Sequence, residues 1–190
     1  NDFNGTIPPL PVSLTSLNLI ANDFTSGIPN LTTYVNLTSL EIYQNENLEG
    51  SLVSTNVSSK IITLNAHSTK ISHIALASFG KAMNNLNVSS CEIPSADLDD
   101  LLSSLNTYFT ANAPTQNCSI SLQNLYNGFI TDGLSNSDYT DLKAIWVAAS
   151  KTLACTFNYA GQFNKGKVAF TFDDVPLSIH TLGLPLFTSK

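Results

Sequence analysis

Side chains able to do chemistry are few and scattered in this sequence. Cys91, Cys118 and Cys155 are odd in number and none stands in C-x-x-C spacing, so they read as buried thiols rather than a disulfide framework or a zinc site. His67 and His73 have a separation that suits a shared metal on neither a helix nor a strand. Asp97, Asp99 and Asp100, and again Asp138 and Asp141, fall where helices should begin and read as charges that favour a helix N-terminus. Trp146 reads as a core anchor. What is left is Asp173-Asp174, two adjacent carboxylates that follow the apolar run Lys167–Phe172; such a pair either does chemistry or closes a strand in a solvated turn.

The elements that must position these groups follow from a repeat. Asn1-Asp2-Phe3-Asn4-Gly5-Thr6-Ile7-Pro8 is echoed by Asn22-Asp23-Phe24-Thr25-Ser26-Gly27-Ile28-Pro29. The second copy is preceded by Leu14-x-x-Leu17-x-Leu19-x-x-Asn22. The same pattern returns as Leu37-x-x-Leu40-x-Ile42-x-x-Asn45, Ile61-x-x-Leu64-x-Ala66-x-x-Thr69 and Met83-x-x-Leu86-x-Val88-x-x-Cys91. It recurs in weaker form as Ile120-x-Leu122-x-x-Leu125 and Leu153-x-Cys155-x-x-Asn158, with longer spacing. Alternate residues of a short strand point to opposite sides, so the apolar positions face inward. The Asn, Thr or Cys that follows turns the chain and binds backbone groups that the turn leaves unpaired.

The pattern resembles leucine-rich repeats, and its G-x-I-P tail resembles their plant-type subclass. That resemblance implies an α/β solenoid over residues 1–159, with a parallel concave sheet and helices or irregular turns on the convex side. Because the chain opens within a repeat, it is expected to be a slice of a larger chain cut at both ends. The longer spacings are expected to hold helices: one capped by Ser95, burying Leu98, Leu101, Leu102, Leu105 and Phe109, and one after Ser137, burying Tyr139, Leu142, Ile145, Trp146 and Ala149. A shorter helix is expected over Ala75 to Met83.

In this register the concave sheet presents Asn18, Ile20, Glu41, Tyr43, Asn65, His67, Asn87, Ser89, Ser121, Gln123 and Thr156. The set is rich in amides and hydroxyls and suits hydrogen bonding to a surface glycan or a protein. Bulk properties narrow the field further. The 190 residues carry a net charge of -6, and all eight basic residues are lysines, which supplies no bidentate guanidinium for phosphate or bases; nucleic acid is not an expected partner. No apolar run reaches the length of a membrane span. Six N-x-[S/T] triplets, at Asn4, Asn30, Asn36, Asn56, Asn87 and Asn117, are what so Asn-, Ser- and Thr-rich a composition produces by chance.

The tail carries a second resemblance. Residues 160–166 read as a polar linker, and Thr171-Phe172-Asp173-Asp174 within 167–190 is similar to the strand-ending T-F-D-D-G motif of polysaccharide deacetylases, carbohydrate esterase family four. Leu184-Pro185-Leu186-Phe187 resembles the helix start that follows there, while Val175 departs from the family's glycine. The resemblance implies that Asp173 is the general base and Asp174 a ligand of a divalent, zinc-like metal. It also implies that the rest of the catalytic domain, including its H-x-x-x-H metal pair, lies outside these residues, so that this chain alone is not the working enzyme. The Asn/Ser/Thr-rich, charge-poor helical repeats resemble those of phage tail fibres and bacterial surface proteins. The expectation is a recognition or adhesion scaffold on a virion or cell surface, joined to a deacetylase and homo-oligomeric if part of a virion; the alternative is a purely structural or protein-binding repeat module without enzymatic activity.

Overall fold

In the computed structural model, residues 2–55, 60–122, 133–157 and 170–171 are described. Six short strands stack in parallel, one per coil: β2 (Ser16–Asn18), β4 (Ser39–Glu41), β6 (Thr63–Asn65), β8 (Asn85–Asn87), β9 (Cys118–Ser121) and β10 (Leu153–Phe157). Register aligns Leu17, Leu40, Leu64, Leu86, Ile120 and Cys155 in one inward column. A short strand, β11 (Phe170–Thr171), adds antiparallel to β10 at the C-terminal edge. The expected α/β solenoid with a parallel sheet is therefore observed.

The coils close in two ways. Early coils use a second strand: β3 (Asp23–Ser26) pairs in parallel with β1 (Asn4–Thr6), and β7 (Lys70–Leu76) with β5 (Glu49–Ser54). Later coils use helices, α1 (Ser95–Ala111) and α2 (Gly133–Ala148), which pack side by side. Gly27, directly before Ile28-Pro29, is a position that needs glycine. Its φ is +88°, and a Cβ there would meet the Ile7 carbonyl oxygen at 2.5 Å, so both sterics and backbone angle exclude a side chain.

After each early main-sheet strand, one non-glycine residue turns the chain with a left-handed φ: Ala21 (+53°), Gln44 (+57°), Ser68 (+56°) and Ser90 (+55°). Each such residue costs about 1 kcal/mol or more. The next residue offsets it. Asn45, fully buried, donates to the Leu19 and Ile42 carbonyls at 2.9 Å and accepts from the Phe24 amide at 3.2 Å. Asn22 donates to Leu19 and Ile20, and Thr69 to Ala66 at 2.8 Å. Cys91 Sγ lies 3.4 Å from Thr69 Oγ1 and 3.3 Å from the Ala66 oxygen. The repeat's Asn/Thr/Cys position is thus a polar column linking coil to coil.

Four expectations about elements need correction. The expected helix over Ala75 to Met83 is not formed: Ala75 and Leu76 end β7, which pairs with β5 out to Ser54↔Leu76, and residues 77–83 are turn and irregular backbone, although buried Leu76, Phe79 and Met83 have helical spacing. Ser95 is the first helical residue of α1, not its cap: Pro94 holds that place in extended conformation without a side-chain cap bond. Helix α2 begins at Gly133, which puts Ser137 inside it; Ser and Asn cost a helix interior only about half a kcal/mol each, so packing outweighs the local signal. Finally, the last repeat is shifted from the expected register by one strand period, with Cys155 rather than Leu153 opposite Ile120. A shift of a whole period keeps every side chain on its own face. The expected apolar face of α1 holds, with Leu98, Leu101, Leu102, Leu105 and Phe109 buried; on α2 Leu142 and Trp146 are buried, Tyr139 and Ile145 are partly buried against the core, and Ala149 lies one residue past the helix end.

Candidate functional site

The outward face of the main sheet is built in rows, because parallel register sets equivalent residues of successive coils side by side about 4.8 Å apart. Asn18, Glu41, Asn65, Asn87, Ser121 and Thr156 form one continuous row. Backbone bonds from Ala21 to Tyr43, Gln44 to His67 and Ser68 to Ser89 align a second row of Ile20, Tyr43, His67 and Ser89. The structure brings together every expected surface residue that it describes. Gln123 lies outside the described residues, as do Asp173, Asp174 and the linker at 160–166.

A third row was missed in the sequence: Ser16, Ser39, Thr63, Asn85 and Ser119, aligned one strand period before the first. Its signal was present, since alternate strand residues share a face, and the same register that selects Asn18 also selects Ser16. The three rows contain one carboxylate, Glu41, and no lysine.

Local bonds organise the surface. Asn87 Oδ1 accepts from the Ser89 amide at 3.1 Å and from its hydroxyl at 2.7 Å, and Asn18 Oδ1 accepts from the Ile20 amide at 3.2 Å. Ser121 and Thr156 hydroxyls are 2.8 Å apart. The amide oxygen of Asn65 is buried and has no hydrogen-bond partner. Tyr43 and His67 stack across adjacent coils, with ring centroids 4.6 Å apart and planes 19° from parallel. Burial lowers the His67 pKa, which favours the neutral ring, and its Nδ1 lies 3.0 Å from Ser68 Oγ.

His73 belongs elsewhere. His73 Nδ1 lies 2.6 Å from Asp97 Oδ2, which also accepts from the Ile74 amide at 3.1 Å. Asp97 therefore sits in the first turn of α1, as expected, and also ties that helix to β7. The sequence hides this contact because the partners are distant along the chain and only the coil makes them neighbours. Among the described residues, no group of three His, Cys, Asp or Glu is placed to hold a metal.

All three cysteines are buried and free, as their spacing implied. Burial pushes the Cys118 thiol up to about 12, and Cys91 up to about 11 despite an opposing hydrogen bond from Thr69; burial and the neighbouring Cys118 push Cys155 higher still. Cys118 and Cys155 flank the register diagonally, with Cys118 opposite Leu153 and Cys155 opposite Ile120. That diagonal spans roughly 8 Å between Cα atoms, beyond the reach of a disulfide. No helix among the described residues is long and apolar enough to cross a membrane. No model of a known protein family matches the chain, and neither a curated protein nor a solved structure is significantly similar to it.

Proposed function

We propose that the chain is a leucine-rich-repeat-type recognition scaffold whose main-sheet face binds a surface glycan or protein. The observation that carries this reading is the unbroken row of Asn18, Glu41, Asn65, Asn87, Ser121 and Thr156. A row of amides and hydroxyls offers both donors and acceptors at a fixed repeat. The repeat type is supported by the L-x-x-L-x-L-x-x-N/T/C pattern, whose last position forms the buried polar column. Introducing charge and bulk at the centre of the row, Asn87→Lys, should abolish binding of the wild-type ligand in a screen of surface polysaccharides and proteins. Thr107→Lys, exposed on α1, should leave that binding intact; equal retention by both variants would overturn the assignment of the face.

The wider proposal is a virion-tail or cell-surface adhesin, working outside the cell, joined to a metal-dependent polysaccharide deacetylase. Its support is the Thr171-Phe172-Asp173-Asp174 motif, with Asp173 as general base and Asp174 as one ligand of a divalent metal, which would polarise the acetyl carbonyl. Metal-dependent acetate release from an acetylated glycan by the longer parent chain, lost in Asp174→Ala, would support it. Absence of release by a folded parent would leave the scaffold reading alone.

A further inference from the structure

Within the recognition face, one place differs from its neighbours. Each ring of the Tyr43–His67 stack covers one face of the other. The free face of Tyr43 is therefore turned toward the Ile20 coil and that of His67 toward the Ser89 coil. Beyond His67 the second row drops from an aromatic ring to the small Ser89. The step makes a notch with an aromatic wall. Its floor is polar: the Ser89 hydroxyl is held on Asn87 Oδ1 at 2.7 Å. Asn65 stands opposite Asn87 in the first row and adds a second amide side chain beside the notch.

The chemistry of the face selects among ligands. A protein partner is normally anchored by apolar or aromatic side chains in a desolvated patch. The large exposed hydrophobic residues among those described are Phe3, Val12 and Val147, and none is in the three rows, whose Ile20 and Tyr43 are only partly exposed. Acidic polymers are opposed by Glu41, with no lysine in the rows to attract them. A neutral polyol remains, and the aromatic face, the negative pole of the ring's quadrupole, attracts the polarised C–H groups of a sugar ring.

We propose that this notch is a subsite for one pyranose ring of a neutral polysaccharide, with His67 as its wall and Asn87 and Ser89 as its floor. The inference rests on the recognition reading above and names its ligand class. A polymer rather than a free sugar is bound, because a chain lying along the rows meets hydroxyls and amides again at each coil.

Affinity electrophoresis through gels containing laminarin, xyloglucan, galactomannan or, as the acidic control, alginate tests the proposal. Wild type should be retarded by at least one neutral polymer and not by alginate. His67→Ser should weaken that retardation on the order of tenfold, the equivalent of one aromatic contact, and His67→Phe, which restores a ring face, should recover it. Loss in both His67 variants, with circular dichroism unchanged, would show that a ring wall is not what matters and would overturn the subsite. Unchanged retardation of His67→Ser, with loss in Asn87→Lys, would overturn the subsite and spare the recognition face. Wild type retarded by no neutral polymer would overturn the subsite and the glycan arm of the reading together.

Discussion

The coils closed by strands and those closed by helices solve one problem with different materials. Leu17, Leu40, Leu64 and Leu86 follow one another at short and nearly even intervals, whereas the intervals leading to Ile120 and then Cys155 are markedly longer. The short coils bury mainly aliphatic side chains on their far side, among them Leu52, Ile71 and Ile74, and add a set of hydrogen bonds: Asn22, Asn45, Thr69 and Cys91 bind the carbonyls that left-handed turns expose. The long coils are held by aromatic packing. Tyr108, Phe109 and Trp146 pack edge to face in succession, Phe79 of the adjoining short coil stacks on Phe109, and the Trp146 indole donates to the Gln116 carbonyl at 3.0 Å. The main sheet runs through both regions without a break in register, so the outward face is indifferent to how each coil is closed.

The contrast can be broken most forcefully on the helical side. Trp146→Ala should cost about 4 kcal/mol, the usual loss for a fully buried tryptophan, read as a shift in urea unfolding free energy. A loss below about 1 kcal/mol would mean that packing of α1 on α2 contributes little to the long coils. On the other side, Asn45→Ala strands the Phe24 amide and two carbonyls and should cost about 3 kcal/mol, at roughly 1 kcal/mol for each group left unpaired. A near-neutral result there would remove the polar column from the account of the short coils.

Asp97 joins the two regions, since its carboxylate on α1 grips the Ile74 amide of β7. Asp97→Ala should lower stability by about 1 to 2 kcal/mol through that unpaired amide, and Asp97→Asn, which keeps an acceptor, should recover most of it. The smallest effect concerns pH. Because burial lowers the His67 pKa, the unfolded chain takes up this proton first. Stability linked to His67 is therefore complete above the unfolded value near 6.5 and falls as pH drops through it toward the depressed folded value. Melting midpoints measured from about pH 8 to about pH 5 should show a small acid-side decline that is absent in His67→Gln.

The inward positions of the short coils were legible because leucine spacing, an obligatory polar turn residue and alternation along a strand all gave the same register. The α1 face was legible for a similar reason, with Leu98, Leu101, Leu102, Leu105 and Phe109 agreeing on one stripe. The segment Ala75 to Met83 was not, since buried Leu76, Phe79 and Met83 have a spacing that local pattern cannot tell from a helix; pairing with β5 decides where it starts. The face was legible as a set of residues but not as contacts. Tyr43 and His67, like His73 and Asp97, stand far apart along the chain, and only the length of one coil makes them partners. The slip of one strand period at Cys155 has a related origin, because a degraded repeat holds its face while losing its frame.

Recognition is assigned above all to the outward face of the main sheet, at the Tyr43–His67 notch. Hydroxyl-radical footprinting of the wild-type chain, with and without the polysaccharide that retards it, tests this directly and needs no variant. Protection of Tyr43 and His67, with Tyr108, Val147 and Phe3 as reactive as in the free chain, is the expected result. Protection of Val147 or Phe3 while Tyr43 and His67 stay fully reactive would contradict it.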